Sequence, residues 1–181
     1  QRQMCIRDRR PTIRISNGID FAHIPLKTNV NDTSNTVHLL GVADIHFWHG
    51  FDRVVAGLAD YYRRPHEKEV IFHIVGGGSR FTVPELREQV REQGMEERVV
   101  LHGPLWGEAL DRAFEEADLG IASLGRHRNG ITHIKTLKNR EYAARGIPFV
   151  YSENDSDFDA MPYVLKAPAD ESPIDIDALL H

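Results

Sequence analysis

The chain alternates short runs of apolar residues with longer segments in which apolar residues recur at helical spacing. A continuous apolar run predicts a strand that is buried on both faces, and apolar residues at every third or fourth position predict an amphipathic helix. Strands that alternate with helices form right-handed βαβ units, so the sequence predicts an α/β fold, a Rossmann-like parallel sheet with helices on both faces. The predicted strands are 37–42, 70–75, 98–101, 119–122 and 147–151, and the predicted helices are 50–62, 84–93, 108–117, about 134–145 and 174–180.

The two ends of the chain depart from this alternation. Residues 1–10 show no apolar period and resemble a translated sequencing adapter, so we expect them to be non-native and to lie outside the packed fold. Residues 11–36 include a polar, turn-rich stretch, which predicts a strand or two and a linker from a missing N-terminal domain. Residues 37–181 are expected to form one Rossmann-like domain that is truncated at its C-terminal end.

The composition is that of a globular protein and argues against a membrane-spanning or disulfide-rich one. The 181 residues suit a single domain, 41% of them are apolar and 27% are charged, as in ordinary globular proteins. No apolar run reaches the roughly 20 residues that a membrane span needs. The one cysteine, Cys5, excludes an internal disulfide and favours a reducing, cytoplasmic location. Peripheral association with the inner face of a membrane is compatible with this composition.

Charge is concentrated in one segment. The net charge is −5, yet residues 126–145 carry six basic side chains and one acid, so this segment is +5 and the remainder is −10. An acidic protein with one local cationic segment suits a small anion and argues against a nucleic-acid partner. A solvated helix face is the alternative explanation. The basic residues are Arg126, Arg128, Lys135, Lys138, Arg140 and Arg145.

Candidate ligand-binding residues lie in the loops that follow the predicted strands, because ligands of open parallel sheets bind beyond the carboxyl ends of the strands. The Gly76-Gly77-Gly78-Ser79 loop follows a strand and precedes a helix, and glycines let the backbone approach a phosphate closely. It matches neither the dinucleotide fingerprint nor the P-loop, and a plain tight turn explains it as well.

Lys138 and Glu141 lie three residues apart and therefore on one face of a predicted helix, near its start. An ammonium group suits a diphosphate, and a carboxylate accepts hydrogen bonds from both hydroxyls of a ribose. A surface ion pair is the alternative interpretation.

Several motifs together resemble the C-terminal, donor-binding domain of GT-B glycosyltransferases, most closely the family 4 (group 1) type. The segment 138–148 is similar to the family block Lys-x-x-Glu-Tyr-x-Ala-x-Gly-x-Pro. The resemblance extends over about residues 15–180. The other segments that carry it are Ser16-Asn17-Gly18-Ile19-Asp20, Trp48-His49-Gly50-Phe51-Asp52, Ile74-Val75-Gly76-Gly77-Gly78 and Arg98-Val99-Val100-Leu101-His102-Gly103-Pro104.

The resemblance implies retaining transfer of a sugar from a UDP- or GDP-sugar to a saccharide or lipid-linked acceptor. It implies no metal and no cofactor, an acceptor site in the missing N-terminal domain, and a fragment that is inactive alone. Glu141 would bind the ribose hydroxyls, Gly77, Gly78 and Lys138 the diphosphate, and Leu105 the base. No catalytic residue is assigned within this chain.

The sequence departs from the family pattern at its phosphate contacts. Gly41-Val42 and His49-Gly50 stand where the family usually has Gly-Arg and Lys-Gly, and His133 stands where many members carry a second glutamate. Phosphate binding must then come partly from other residues. The candidates are Arg80, Arg126, Arg128 and His49.

Other functions stay open at this point. A sugar-nucleotide epimerase and a non-catalytic nucleotide-binding module share the predicted architecture. A metal site would need to draw on His46, His49, His127 and His133, without a cysteine or paired carboxylate to complete it. The spacing of Asp155, Asp157 and Asp159 suggests a calcium loop but lacks its glycine and terminal glutamate, so we predict a capped turn.

Overall fold

The computed structural model describes residues 17–28 and 34–180. The predictions for residues 1–10, and for the segments 11–16 and 29–33 of the proposed linker, lie outside the described residues.

The described residues form a six-stranded sheet in which every neighbouring pair of strands is parallel. β1 and β2 pair without interruption from Thr36 opposite Glu69 to Val42 opposite Val75. The prediction of an α/β fold with a parallel sheet is confirmed. In the order of the sheet the strands are β3 (Val99–Gly103), β2 (Glu69–Val75), β1 (Thr36–Val42), β4 (Leu119–Ile121), β5 (Phe149–Tyr151) and β6 (Val164–Lys166).

Helices cover both faces of the sheet, which explains why the inner strands β1, β2, β4 and β5 are rich in buried apolar residues. The adjacent residues Leu39 and Leu40 of β1 point to opposite faces and are buried in two different apolar clusters. Burial of each leucine side chain stabilises the fold by about 1.5–3 kcal/mol. One cluster lies beneath α1 (Phe51–Tyr62), α2 (Thr82–Glu92) and α5 (Ile176–Leu180), and the other lies beneath α3 (Glu108–Glu116) and α4 (Leu137–Arg145).

Helix α4 begins at Leu137, later than the apolar pattern predicts. The cause is a hydrogen bond made by the segment before the helix. The Ile134 amide donates to the Asn154 carbonyl at 3.0 Å, which holds this segment extended beside the loop after β5. Thr136 then caps the helix by accepting a hydrogen bond from the Asn139 amide at 3.3 Å. The late start puts Lys138 in the first turn, where the backbone amides have no acceptor within the helix.

The structure differs from the sequence prediction in two further places. β6 was missed because it has only three residues at the edge of the sheet, none of them fully buried. Residues 17–28 form a short 3₁₀ turn, Phe21–His23, and no strand. None of the helices in the described residues is both long enough and apolar enough to cross a membrane.

Candidate functional site

Two loops meet at the carboxyl end of β1 and β4. The Leu124 amide donates to the His49 carbonyl at 2.9 Å, and the Gly125 amide donates to the Trp48 carbonyl at 3.2 Å. Gly50 allows this approach, because it adopts φ 67° and a Cβ there would lie 2.8 Å from the Leu124 carbonyl carbon. The contact brings His49 next to the 3₁₀ turn that starts at Arg126.

His49 is buried, with 5% of its surface exposed. Its Nδ1 accepts a hydrogen bond from the His46 amide at 3.0 Å, so the proton of the neutral ring lies on Nε2. Burial, and then the charges of Lys138 and Arg126, lower the pKa of His49 to about 2. His49 therefore offers a ligand one N–H donor and no positive charge.

Lys138 and Arg126 supply positive charge beside His49. Burial, and then the charge of Arg126, lower the pKa of Lys138 to about 7, with Glu153 opposing this effect. The Arg126 guanidinium lies over the Trp48 ring, 5.5 Å from the ring centroid. Its Nε is buried and has no hydrogen-bond partner among the described residues.

Glu153, which sequence reasoning missed, completes this group two residues beyond β5. It is 2% exposed, and neither of its carboxylate oxygens has a hydrogen-bond partner in the part of the chain that the structure describes. Burial raises the pKa of Glu153 to about 7, and the residue's own backbone N–H, followed by the charges of Arg126 and Lys138, opposes the rise. The available signal was an acidic residue directly after a buried apolar strand. We call His49, Arg126, Lys138 and Glu153 the edge cluster.

The glycine turn after β2 has a structural explanation of its own. Gly76 adopts φ 133°, and a Cβ there would lie 1.7 Å from the Ala43 carbonyl oxygen. A Cβ on Gly78 would lie 2.9 Å from the Ile45 carbonyl oxygen. Gly77 has space, with Pro104 Cγ at 3.6 Å as the nearest atom to such a Cβ. The loops after β1 and β2 thus run in close contact, and only Gly77 of the three tolerates a side chain sterically.

Arg80 and Leu105 flank this turn on two different loops. Arg80 is exposed and lies over the ring of its neighbour Phe81, 4.7 Å from the centroid. Leu105 is half-buried and packs against the apolar cluster under α3 and α4. The next residue, Trp106, is 75% exposed and was not among the predicted site residues. Its signal in the sequence was an aromatic residue in a loop after a strand.

Glu141 lies one turn beyond Lys138 on α4 and has its own partner. Its Oε1 accepts from Arg145 Nη2 at 3.2 Å and from Arg145 Nε at 3.4 Å. The Arg145 guanidinium also donates to Asp111 at 2.8 Å and lies over Phe114, 4.0 Å from the ring centroid. Glu141 therefore forms its ion pair with Arg145 and not with Lys138, which belongs to the edge cluster.

Arg128, which the sequence suggested as a phosphate ligand, instead bonds to other groups of the protein. Its guanidinium donates to both carboxylate oxygens of Asp52, at 2.9 Å and 2.6 Å, and to both oxygens of Glu171. Nη1 also donates to the Phe47 carbonyl at 2.7 Å. These bonds raise the pKa of Arg128 and use each of its nitrogens. Arg128 ties the 3₁₀ turn to α1 and is not available to an incoming phosphate.

The candidate metal ligands do not converge. His127 pairs with Glu171 at 2.7 Å, and His46 pairs with Asp44 at 3.2 Å. Within residues 17–28 and 34–180, no group of three or more histidine, cysteine or acidic side chains is placed to hold a metal ion.

The three aspartates after β5 form a capped turn, as predicted. The Phe158 amide donates to the Asp155 carbonyl at 2.8 Å, and the Asp157 amide donates to Asp155 Oδ1 at 3.2 Å. Asp155 Oδ2 accepts from Arg140 at 3.2 Å, which ties the turn to α4.

No protein-family model matches the sequence, and a search of curated proteins gives no match either. Solved structures do match. HepE from Anabaena in complex with UDP superposes with a TM-score of 0.61 at 17% identity, over 81% of this chain and 39% of that chain. The fold is that of the GT-B glycosyltransferases. Sucrose-phosphate synthase from Thermosynechococcus elongatus is a second GT-B neighbour, with a TM-score of 0.62 at 22% identity over 90% of this chain and 40% of that chain.

The matched region is one half of the GT-B fold. The C-terminal domain of a group 1 glycosyl transferase, LpcC from Francisella tularensis, superposes with a TM-score of 0.59 at 13% identity, over 90% of this chain and 87% of that domain. The chain thus spans well under half the length of the full-length GT-B proteins, and most of an isolated C-terminal domain.

Proposed function

We propose that this GT-B half binds the nucleoside diphosphate of a UDP- or GDP-sugar at the edge cluster. The observation that carries the proposal is the convergence of His49 and Arg126, from the segments after β1 and β4, with Lys138 from the first turn of α4. Ligands of open α/β sheets bind at this edge. HepE, which shares the fold, has been solved in complex with UDP.

The chemistry of the edge cluster suits a leaving diphosphate. As the bond to the sugar breaks, negative charge develops on the diphosphate, and preorganised donors in a site with little water stabilise that charge most effectively. Arg126 and Lys138 would provide charge, and His49 Nε2 would provide a neutral N–H. Lys138 has a pKa of about 7, so a bound dianion would raise that pKa and draw a proton from solvent.

We propose further roles by resemblance for residues around the edge cluster. Glu141 would accept from the ribose hydroxyls, Leu105 would contact the base, and Gly77, the one turn glycine with space, would approach the diphosphate, with Gly78 shaping the turn and Arg80 beside it. The whole protein would then transfer the sugar, with retention, to a saccharide or lipid-linked acceptor held by an N-terminal domain. We infer a cytoplasmic location and no resident metal or cofactor.

Isothermal titration calorimetry with UDP, GDP, ATP and NAD⁺ tests this function. We expect UDP or GDP to bind more tightly than ATP or NAD⁺, and Lys138→Met to weaken that binding by about ten- to a hundredfold, since a charge-assisted hydrogen bond contributes about 1.5–3 kcal/mol. Lys135→Met is the matched control, because it removes the same charge from the same segment but its ammonium pairs with Asp157 outside the cluster. Equal or tighter binding of NAD⁺ would contradict the proposed function.

A further inference from the structure

Glu153 is the one member of the edge cluster that a diphosphate leaves unexplained. Glu153 is 2% exposed, yet neither of its carboxylate oxygens has a hydrogen-bond partner among the described residues. Buried polar groups in folded proteins are nearly always hydrogen-bonded, because an unpaired one loses its hydration without compensation. A buried carboxylate with two unpaired acceptors at a ligand-binding edge therefore indicates a ligand that supplies the donors.

The surroundings of Glu153 define the chemistry of those donors. A phosphate is a poor partner because it is repelled whenever the Glu153 carboxyl is ionised, and no metal-binding group of side chains exists in the described part of the chain. Arg126 and Lys138 act on Glu153 through their charge without bonding to it. Neutral donors such as O–H groups suit these two acceptors, and they must lie beside the two cations that would hold the diphosphate.

We propose that Glu153 accepts hydrogen bonds from hydroxyl groups of the sugar that a nucleotide sugar carries, and so contributes to donor-sugar specificity. This inference rests on the proposed function, because the sugar is attached to the phosphate placed at Arg126 and Lys138. A second buried acceptor supports it. Ser123, 0% exposed, ends the neighbouring segment after β4, and its Oγ also lacks a partner among the described residues.

The backbone holds Glu153 in this position. The Ser152 amide donates to the Ser123 carbonyl at 3.1 Å, and the Asn154 amide donates to the Thr132 carbonyl at 2.8 Å, on either side of Glu153. Lys166 Nζ donates to the Glu153 carbonyl oxygen. The carboxylate is thus presented by a segment that is fixed on both sides, as a specificity contact requires.

The competing explanation is that Glu153 only balances the charge of Arg126 and Lys138. The two explanations differ in what they predict for the free nucleotide and the nucleotide sugar. A counterion would affect both ligands equally, since both carry the diphosphate. A sugar contact affects only the ligand that carries the sugar.

Calorimetry on the wild-type chain and on Glu153→Gln separates them, with UDP, UDP-glucose, UDP-galactose, UDP-N-acetylglucosamine, GDP and GDP-mannose as ligands. We expect at least one nucleotide sugar to bind wild type more tightly than its free nucleotide, and Glu153→Gln to reduce that gain by tenfold or more. Affinity for the free nucleotide should be unchanged or higher, because a negative charge near the diphosphate is removed. Asp157→Asn, a neutralised carboxylate in the following turn, is the control and should preserve the gain.

The other outcomes of this calorimetry distinguish an error in the sugar contact from an error in the proposed function. If Glu153→Gln keeps the full gain, or if no sugar adds affinity to wild type, the sugar contact is wrong while nucleotide binding stands. If wild type binds none of these nucleotides, the proposed function itself is wrong. If circular dichroism finds Glu153→Gln unfolded, Glu153→Asp carries the test, because it keeps the charge, shortens the side chain by one methylene and should also lose the gain.

Discussion

Glu141 and Arg145 form an ion pair one turn apart on α4, with Glu141 Oε1 accepting from Arg145 Nη2 at 3.2 Å. The carboxylate that we propose as the ribose acceptor therefore already has a partner in the protein without a ligand. Glu141 is half-exposed and the buried Arg145 has a second carboxylate partner in Asp111, so a ribose can compete with Arg145 for the Glu141 carboxylate.

Replacement of Glu141 by alanine should therefore weaken nucleotide binding more than it destabilises the fold. Two hydrogen bonds from ribose hydroxyls to a carboxylate would contribute about 1.5–3 kcal/mol, so calorimetry should find UDP or GDP bound about ten- to a hundredfold more weakly. The free energy of unfolding in urea should fall by less than about 1 kcal/mol.

The 2′-deoxy form of the same nucleotide provides the control for this variant. It should bind wild type less tightly than the ribonucleotide does, and the two should bind Glu141→Ala almost equally. The same deoxy penalty in both proteins would place Glu141 away from the ribose.

Arg128 is expected to behave as a structural residue. The Arg128 side chain is 16% exposed, and its guanidinium bonds to Asp52 and Glu171. A hydrogen bond to a charged group contributes about 1.5–3 kcal/mol to stability. Arg128→Met should lower the free energy of unfolding by about that amount and change the nucleotide dissociation constant by less than about threefold. Urea unfolding and calorimetry measure the two effects.

Arg112→Met is the matched control for Arg128. Its guanidinium is 68% exposed and pairs with Glu108 at 3.8 Å, so the loss of stability should stay below about 1 kcal/mol. A loss of nucleotide affinity of tenfold or more in folded Arg128→Met would restore Arg128 as a phosphate ligand.

A row of three imidazoles on adjacent strands predicts a pH dependence of stability. His73 on β2 hydrogen-bonds through Nε2 to His38 Nδ1 and through Nδ1 to His102 Nε2, at 2.9 Å each. Burial, and then His38 and His102, lower the pKa of His73 to about 4. Below pH 6.5 the unfolded chain then binds more protons at this residue than the folded chain does, so the contribution to stability is complete above pH 6.5 and is lost as pH falls towards 4.

The measurement is the free energy of unfolding in urea at pH 7, 6 and 5 for wild type and His73→Gln. One such group contributes at most about 1.4 kcal/mol per pH unit, and less here because His73 is partly exposed to solvent. The difference between the two proteins isolates His73 from the carboxylates that also titrate. His23→Gln, which removes an imidazole that is 84% exposed, should keep the wild-type slope. An identical slope in His73→Gln would show that His73 is not held neutral.

The sequence predicted the elements of the core well because their signal is local. Each of the five predicted strands overlaps a strand of the sheet, and each was marked by a short run rich in apolar residues, interrupted by His38 in β1 and by His73 in β2. β6 lacked this signal because an edge strand of three residues is not fully buried. The start of α4 was placed too early because its limit is set by the pairing of Ile134 with Asn154, a contact between separate loops.

The candidate site was predicted by position and corrected by contact. Parallel topology alone places the loops after the strands at one edge of the sheet, so the order of residues in the chain predicts that His49, Arg126 and Lys138 lie at that edge. Glu153 carried no charge pattern that set it apart, and its significance lies in burial without a partner.

What the sequence by itself determined is therefore the order of strands and helices, the parallel sheet and the edge at which charged loops gather, because apolar periodicity and chain topology are properties of the sequence. What only the tertiary structure decided is which charges remain available. Arg126 and Arg128 lie two residues apart and carry the same charge. Yet Arg126 lies in the edge cluster, with an Nε that has no partner among the residues the structure describes, while Arg128 is held by Asp52 and Glu171. Those partners come from α1 and from a segment 43 residues further along the chain, and their distance from Arg128 exists only once the chain is folded.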